Sequence, residues 1–353
     1  MDKKIEVPIV IIGSGQAGLA LGKALKDAHL SFLILEENAS VGDGWRRHYD
    51  SLILFTPRRF SALPGLPIEG NPDTCATKDE FADYLERYAG TFELPIEYKK
   101  RVRSITKEGS IFTVEAASAH YTARAVVVCT GHGAPVFIPS DDSLPLLHSS
   151  EYKNPSQVTG NRVLVVGAGN SGAQIAVELS KTHEVSLSYE KKPRFISTSY
   201  FGRSFYFWSE LFKTNRIPVD TWFGKLFAKD KDYIVGYDLL HALYAGRVKR
   251  KAPVLRIRGG KVHFANGVAE PFDAVICAIG FKNLYPFLSS LPDALGDDGT
   301  PLHMRGVSNV PGLFFSGMRN QISNVSGNIH GTHINTPYIM KHLESYLRYN
   351  TKE

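Results

Sequence analysis

Cysteine is scarce in this chain, and its spacing excludes two classes of protein. Three cysteines occur in 353 residues, at Cys75, Cys129 and Cys277, and no two form a C-x-x-C pair. A redox-active dithiol needs such a pair, and a disulfide-stabilised secreted scaffold needs an even set of bridges. Cys129 and Cys277 each lie in an apolar run that leads into a glycine, where cysteine acts as a small buried hydrophobe. We therefore assign no thiol chemistry.

Long apolar runs and concentrated charge are also missing. No apolar run approaches the roughly 18 residues of a membrane span, and Gly13 ends the N-terminal run without a cleavage-like site. The 41 Lys and Arg exceed the 35 Asp and Glu only diffusely, and the one basic run, residues 247–251, is interpreted as a solvated face. His330 and His333 form an H-x-x-H pair without a third ligand. The sequence thus predicts a soluble cytoplasmic protein with no membrane span, nucleic-acid partner or metal site.

Two glycine-rich turns are the most informative feature that is present. The first turn reads GSGQAG over residues 13–18, and the second reads GAGNSG over residues 167–172. Each follows an apolar, strand-like run and opens a stretch with helical spacing. Glu36 and Glu190 each stand 18 residues beyond the last glycine of their turn (36 − 18 and 190 − 172). The chain is therefore predicted to build one βαβ nucleotide-binding unit twice.

The residue types of these turns suit a dinucleotide. One glycine allows the tight strand-to-helix turn, another lets the backbone approach a pyrophosphate, and a third lets helix and strand pack closely. The helix N-terminus offers unpaired N–H groups to the phosphates. A carboxylate at the end of the next strand accepts hydrogen bonds from ribose hydroxyls. Two such turns indicate two dinucleotides.

The length, roughly twice that of an average domain, and the remaining patterns indicate two domains. We predict an α/β protein with two Rossmann-like dinucleotide-binding domains, the second inserted in the first. The first comprises residues 1–155 and 268–353, and the second comprises residues 156–267. Residues 200–227 are rich in aromatic side chains, and we interpret them as a packed helical insert rather than a membrane contact.

Shorter segments carry further predictions. Pro57, Pro64 and Pro67 forbid a regular central strand in the loop after the first unit. Apolar spacing predicts a helix over residues 78–89, and strands are predicted around 111–114 and 125–129. The Pro-, Ser- and Asp-rich connection over 132–155 is predicted to cross between the domains.

These motifs resemble those of the flavin-dependent (class B) monooxygenases, above all small bacterial members and the plant YUCCA-type enzymes. The resemblance rests on GSGQAG with Glu36, the loop GDGWRRHYDSLILFTPRRFSALPGLP, the turn GAGNSGAQ, and FDAVICAIGF followed by PGLFFSG. It spans nearly the whole chain. It implies that the first domain binds FAD and the second binds NADPH or NADH, with the nicotinamide over the isoalloxazine ring.

The resemblance also implies particular site residues. The residues implied for FAD are Gly13, Gly15, Gln16, Ala17, Glu36, Gly44, Trp45, Val102, Thr130, Gly131 and Gly317. The residues implied for NAD(P)H are Gly167, Gly169, Asn170, Ser171, Gly172, Glu190 and Lys191. Phe55, Thr56 and Asn170 are implied to lie near the flavin, and no catalytic acid or base is required because the cofactor carries the chemistry.

One family motif is incomplete in this sequence. Of the string Phe-x-Gly-x-x-x-His-x-x-x-Tyr, only the second half is present, at His148 to Tyr152. The segment that leads into it, residues 144–146, is shortened relative to the family pattern. We expect a structural role for His148.

The resemblance implies hydride transfer to FAD, reaction of the reduced flavin with dioxygen, and a C4a-(hydro)peroxyflavin that oxygenates a small molecule. Sulfides, amines, ketones and, in the YUCCA manner, arylpyruvates are all open as substrates, and a homodimer is open as the assembly. Two alternatives stay open: an FAD-dependent NAD(P)H oxidase or reductase, favoured by the missing Phe-x-Gly half, and a non-catalytic flavin-binding sensor. Glu190 suits the unphosphorylated ribose of NADH, whereas Lys191, Lys192 and Arg194 suit the phosphate of NADPH.

Overall fold

Two sheets with parallel cores organise the protein. The computed structural model describes residues 3–117, 119–131, 133–228 and 233–349. Helices cover one face of each sheet, and a smaller antiparallel or mixed sheet covers the other. The predicted α/β class is confirmed.

The first sheet has seven strands and contains the first glycine-rich turn. Its order is His303–Met304, Val307–Ser308, Leu313–Phe315, Ala125–Val128, Ile9–Ile12, Phe32–Leu35 and Ile96–Glu97. The last five strands run parallel, and the first two add to the edge antiparallel.

The central strands of this sheet are apolar throughout because both faces are covered. Alternate residues of a strand point to opposite faces. Ile9 and Ile11 accordingly contact the layer that holds helices Gln16–Asp27, Lys78–Thr91 and Thr332–Tyr349. Val10 and Ile12 contact the opposite layer, a sheet of Lys3–Glu6, Ala119–Ala123, Ile111–Ala116 and Val102–Glu108.

The second sheet repeats this plan around the second glycine-rich turn. Its five strands are all parallel, in the order Leu146–His148, Ala274–Cys277, Arg162–Val166, Glu184–Ser188 and Val248–Lys251. Helices Asn170–Leu179 and Asp238–Tyr244 cover one face. The other face packs on a three-stranded sheet of Val254–Arg258, Lys261–Phe264 and Ala269–Glu270.

Strand pairing corrects the predicted edges of the second unit. Residues 146–148 and 274–277 were assigned to the first domain, but Leu146–His148 pairs with Ala274–Cys277, which pairs with Arg162–Val166. The reason is that each glycine-rich turn needs a parallel strand beside its own first strand. Ala274–Cys277 fills that place for the second turn, as Ala125–Val128 does for the first.

The predicted elements of the first unit are present. The helix expected over 78–89 is Lys78–Thr91, and it begins at a capping box in which Thr77 and Glu80 exchange hydrogen bonds. The expected strands are Ile111–Ala116 and Ala125–Val128. The proline-rich loop contains only helices Asp43–Arg46 and Arg58–Ser61 and a two-stranded pair of Ile53–Pro57 with Cys75–Thr77.

The remaining elements are short. Paired strands are Ala134–Pro135 with Phe281–Lys282, Arg194–Ile196 with Tyr233–Val235, and Ser199–Tyr200 with Arg203–Ser204. The 3₁₀ turns are Pro155–Gln157, Thr214–Arg216, Pro286–Leu288, Pro292–Ala294 and Ile329–Gly331.

The aromatic insert is helical but not packed as predicted. It contains helices Phe205–Leu211 and Trp222–Ala228. Tyr206 is buried, whereas Phe201, Phe212 and Trp222 are mostly exposed. The interpretation of a packed insert is therefore wrong for these rings, because aromatic content alone does not show which rings find a neighbouring surface. Within the described residues, no helix has the length and apolar character needed to cross a membrane.

Candidate cofactor sites

The first glycines of the two turns occupy equivalent, strained surroundings. Gly13 has φ +100° and Gly167 has φ +105°, a backbone conformation that favours glycine. A Cβ on Gly13 would lie 2.7 Å from the carbonyl oxygen of Cys129, and one on Gly167 would lie 2.3 Å from that of Ala278. Both turns therefore require glycine at this position for two independent reasons.

The third glycines bring each helix against its turn. A Cβ on Gly18 would lie 2.0 Å from the carbonyl oxygen of Gly13, and one on Gly172 would lie 2.1 Å from that of Gly167. No real Cβ makes such a contact, so any larger residue would push the helix away from the strand. The two turns are thus built by the same steric constraint.

The middle glycines leave room for an anion. Gly15 and Gly169 are the N-cap residues of helices Gln16–Asp27 and Asn170–Leu179, and neither helix has a side-chain cap. In the part of the chain that the structure describes, and apart from each glycine and its two chain neighbours, no atom lies within 4 Å of the place that a Cβ would take on either glycine. Uncapped N–H groups facing open space at a helix N-terminus suit a pyrophosphate. The geometry at both turns therefore fits a dinucleotide.

Glu36 is buried and its carboxylate is held in place. Oε2 accepts hydrogen bonds from the backbone N and Oγ of Ser14, at 2.8 and 2.6 Å. Oε1 accepts from the backbone N and Nδ2 of Asn38, at 2.8 and 2.6 Å. Ser14 and Asn38 thereby fix the carboxylate beside the first turn, and rotation of either side chain frees a lone pair for a ribose hydroxyl.

A cleft of about 1020 Å³ extends from Glu36 along the first turn. All eleven residues implied for FAD line it: Gly13, Gly15, Gln16, Ala17, Glu36, Gly44, Trp45, Val102, Thr130, Gly131 and Gly317. Two of them also contact each other, because Trp45 Nε1 donates a hydrogen bond to Gln16 Oε1 at 3.2 Å. The structure thus brings together residues that span three hundred positions of the sequence around one elongated cleft.

Several residues of this cleft were missed by the sequence analysis. They include Ser14, Asn38, Arg47, His48, Lys100, Arg103, Tyr285 and Gly327. Ser14 lies inside the first turn, and Arg47 and His48 follow Trp45. Their closeness in sequence to residues implied for FAD could have predicted their place in the cleft. Lys100, Tyr285 and Gly327 belong to loops that only the tertiary fold brings to the cleft.

The three residues expected near the flavin do not line this cleft. Among the described residues, the wall of the cleft does not include Phe55, Thr56 or Asn170. Thr56 is buried and its carbonyl oxygen accepts from Ser61 Oγ. Asn170 Oδ1 accepts from the backbone N of Val235, and its Nδ2 donates to the carbonyl of Tyr233, so this side chain fixes a neighbouring strand.

The second turn is more exposed to solvent than the first. Glu190 and Lys191 are exposed, as are Lys192 and Arg194. The guanidinium of Arg250, from the basic run interpreted as a solvated face, lies 4.9 Å from the ring centroid of Tyr189. The end of this strand is therefore lined by cations beside one carboxylate.

A contact between the two units joins the two turns. Tyr49 Oη donates a hydrogen bond to Gln174 Oε1 at 2.7 Å, and Gln174 Nε2 donates to the carbonyl of Ile53 at 3.4 Å. Gln174 belongs to the helix that begins at the second turn, and the loop around Tyr49 carries Arg47 and His48 to the cleft along the first turn. Burial raises the pKa of Tyr49 to about 12, so its hydroxyl stays a donor at neutral pH.

The histidines and cysteines have structural surroundings. His148 is fully buried, with Nδ1 near Ser150 Oγ (2.8 Å) and Nε2 near the carbonyl of Gly280 (3.1 Å). Burial lowers the pKa of His148, which favours the neutral ring. Cys129 and Cys277 are buried, and burial raises the pKa of both thiols. The described residues include no group of three or more His, Cys, Asp or Glu side chains placed to hold a metal.

Fold and site together define a flavin- and nicotinamide-dependent oxidoreductase. A model of the pyridine nucleotide-disulphide oxidoreductase family matches residues 10–209, and the chain belongs to this family, as one of its flavin-dependent monooxygenases. The cofactors of this class are FAD and NAD(P)H.

Relatives match along most of the chain. An uncharacterized oxidoreductase CzcO-like of Geobacillus kaustophilus is 41% identical over 339 residues, which cover 95% of this chain and 97% of that protein. The indole-3-pyruvate monooxygenase YUCCA4 of Oryza sativa is 28% identical and covers 92% of this chain and 86% of its own length. The solved flavin-containing monooxygenase of Stenotrophomonas maltophilia has a TM-score of 0.80 at 28% identity, over 98% of this chain and 99% of that chain.

We predict that Gly15→Ala removes flavin without unfolding the protein. The added methyl meets no protein atom, but it occupies the space where the pyrophosphate approaches the backbone. The flavin-to-protein ratio after purification should fall at least about tenfold, a change of roughly 1.4 kcal/mol, while the unfolding midpoint of the apoprotein changes little.

Gly90→Ala is the matched control, because its added methyl also meets no atom and the residue lies in helix Lys78–Thr91, away from the cleft. It should keep its flavin. A Gly15→Ala protein with full flavin content would contradict the assignment of the first turn.

We also predict that Tyr49→Phe and Gln174→Leu slow flavin reduction without loss of flavin. Each change breaks the hydrogen bond between Tyr49 and Gln174, one of several that join the two units, so we expect the coenzyme to be presented to the flavin in a less defined position. Stopped-flow reduction should slow by about tenfold in each variant, or roughly 1.4 kcal/mol.

Both variants break the bond between Tyr49 and Gln174, and Gln174→Leu also removes the bond to the carbonyl of Ile53. The double variant should therefore be no slower than Gln174→Leu alone. Tyr244→Phe, at an exposed tyrosine, is the control and should reduce at the normal rate. Strictly additive effects would show that the contact does not act as a unit.

Proposed function

We propose that this protein uses NAD(P)H to reduce FAD and then transfers one oxygen atom of dioxygen to a small soft nucleophile, such as a sulfide or an amine, or to a ketone. The observation that carries the proposal is the pair of matched turns with unequal surroundings: Glu36 is buried beside a cleft of about 1020 Å³, and Glu190 is exposed. An enclosed site suits a resident cofactor, and an open site suits a coenzyme that exchanges in each turnover.

On this proposal, each of the two units is a Rossmann-like dinucleotide-binding domain. We assign FAD to the seven-stranded sheet with its cleft and NAD(P)H to the five-stranded sheet, whose edge includes Leu146–His148 and Ala274–Cys277. Support comes from the duplicated glycine geometry and from the likeness to the Stenotrophomonas flavin-containing monooxygenase along nearly the whole chain.

Bound FAD supplies hydride acceptance and the reaction of its reduced form with dioxygen. The chain's own residues bind, orient and enclose it. The helix N-terminus after Gly15 receives the pyrophosphate, Glu36 accepts from the ribose, and Trp45 with Gln16 forms part of the wall. Exclusion of water from this cleft would limit the unproductive release of hydrogen peroxide from the bound cofactor.

Oxygen transfer is preferred over a simple oxidase because the full-length likeness is to named monooxygenases. The oxidase retains one observation in its favour, the incomplete motif before His148. In the structure this segment is the edge strand Leu146–His148 of the second sheet, with His148 buried, so the remaining half of the motif serves the fold. The sensor hypothesis loses its basis because the relatives are oxidoreductases.

The coenzyme site combines features suited to both nicotinamide dinucleotides. Glu190 suits a free 2′-hydroxyl, and Lys191, Lys192 and Arg194 suit a 2′-phosphate. Because all four are exposed, solvent screens both the repulsion and the attraction. We propose that the enzyme accepts NADPH and NADH.

A substrate panel scored by product tests the main proposal. Purified protein with NADPH in air receives sulfides, amines, cyclic ketones and an arylpyruvate, and product, hydrogen peroxide and NADPH consumption are measured in the same reactions. At least one class should yield product that accounts for most of the NADPH, with one atom of ¹⁸O from labelled dioxygen. NADPH oxidation that ends entirely in hydrogen peroxide across the panel would identify an oxidase.

Anaerobic flavin reduction by each coenzyme tests the coenzyme proposal. NADPH and NADH should differ by less than about a hundredfold in efficiency, or roughly 2.7 kcal/mol. Glu190→Gln should shift the ratio towards NADPH by removing a repulsive charge, and Lys191→Ala should shift it towards NADH. Lys249→Ala, at an exposed lysine that pairs with Glu184, is the control and should leave the ratio unchanged. A preference above a hundredfold would refute dual use.

A further inference from the structure

The insert between the second turn and helix Asp238–Tyr244 exposes an unusual amount of aromatic surface. Phe201 is 95% exposed, Trp222 73%, Phe212 68%, Phe223 60% and Leu211 57%. We call these five side chains the aromatic face. Single exposed apolar side chains are ordinary, but here Phe201 and Phe212 both contact Trp208, and the rings of Trp222 and Phe223 lie 4.8 Å apart. Exposed apolar groups that cluster are typical of surfaces that meet a partner.

The insert is anchored, so this exposure does not come from a segment that has failed to dock. Arg305 binds Asp220 through two nitrogens, at 2.8 and 3.1 Å. Asn215 Nδ2 lies 2.9 Å from His330 Nε2, and the backbone N of Val219 donates to the carbonyl of Ile322 at 2.8 Å. The segment between the two helices of the insert is therefore fixed on the first unit.

Part of the aromatic face is also organised into a cleft. Trp208 stacks on Phe212 with ring centroids 6.2 Å apart, and it meets Phe201 edge to face at 6.2 Å. With Tyr200 these rings line an open cleft of about 370 Å³. Rings that pack against one another while remaining exposed form a preformed apolar surface, with little side-chain entropy to lose on contact.

The charges around the aromatic face are cationic. Residues 200–228 contain Arg203, Lys213, Arg216 and Lys225 against Glu210 and Asp220. Both acids are engaged in ion pairs, Glu210 with Arg216 and Asp220 with Arg305. Arg203, Lys213 and Lys225 are exposed. The partner of this surface therefore meets aromatic rings bordered by positive charge.

We propose that the aromatic face binds peripherally to the surface of an anionic lipid bilayer. Aromatic rings favour the headgroup region, where their apolar bodies leave water, and lysine and arginine heads reach the lipid phosphates. A second copy of the chain fits less well, because a symmetric contact would bring the same cationic border together from both subunits.

Vesicle co-sedimentation of the purified holoprotein tests this proposal. Vesicles of phosphatidylcholine alone are compared with an equal mixture of phosphatidylcholine and phosphatidylglycerol, at low and high salt. We expect the protein to bind the anionic vesicles at least about tenfold more tightly than the neutral ones. Binding to the anionic vesicles should weaken as the salt concentration rises. The triple variant Phe201→Ser, Phe212→Ser, Trp222→Ser should bind at least about tenfold more weakly than the parent, or roughly 1.4 kcal/mol.

A matched control removes equally exposed apolar groups elsewhere. Tyr244, Tyr349 and Met304 are 84%, 80% and 73% exposed, and their triple replacement by serine should leave vesicle binding unchanged. Flavin content checks the fold of each variant. If the aromatic variant does not fold, Lys213→Glu with Lys225→Glu provides a second test and should abolish the preference for anionic vesicles.

Three outcomes would overturn the proposal. The first is no sedimentation with either vesicle, and the second is equal loss in the control variant. The third is a concentration-dependent dimer of the parent that disappears in the aromatic variant without any vesicle binding, which would show that a second copy covers the face. The readout needs no turnover, so its failure would leave the proposed reaction untouched.

Discussion

The close approach of a helix to a strand end, with no side chain between them, is the constraint on which this structure depends. At both turns, a carbonyl oxygen lies only 2.0 to 2.7 Å from the position that a Cβ would take on Gly13, Gly18, Gly167 or Gly172. Only glycine permits this approach, and the approach is what presents uncapped helix N–H groups to open space. The sheets, the placement of the glutamates and the cleft follow from building this turn twice.

In the proposed function, the same turn serves two purposes because its surroundings differ. In the first unit, Ser14 and Asn38 fix Glu36 in a buried position, and loops from distant parts of the chain close the cleft. In the second unit the corresponding Glu190 is left to solvent. The hydrogen bond between Tyr49 and Gln174 links the loop of one unit to the helix of the other, so their geometries are coupled. A resident cofactor and an exchanging coenzyme require this combination of unequal enclosure and a fixed relative position.

Local patterns in the sequence predicted the elements well because each depends on nearby residues. The two turns, the apolar strands and the helix at Lys78–Thr91 could all be predicted from the sequence, and the residues implied for FAD converge on one cleft. The sequence did not reveal which segments that are far apart in the chain pair or pack together. Two apolar strands closed by glycine look alike, yet Ala125–Val128 and Ala274–Cys277 join different sheets. The hydrogen bond of Asn170 to the strand at Val235 joins residues 65 positions apart, and the burial of each aromatic ring depends on whether another surface covers it.

The most direct measurement of the central claim is the affinity of the apoprotein for FAD compared with FMN. FMN carries the same flavin ring but lacks the second phosphate and the adenosine that the first turn and Glu36 are placed to bind. The account predicts one FAD per chain, bound at least about a hundredfold more tightly than FMN, a difference of roughly 2.7 kcal/mol. Equal affinity for the two flavins, or failure to bind either, would contradict it.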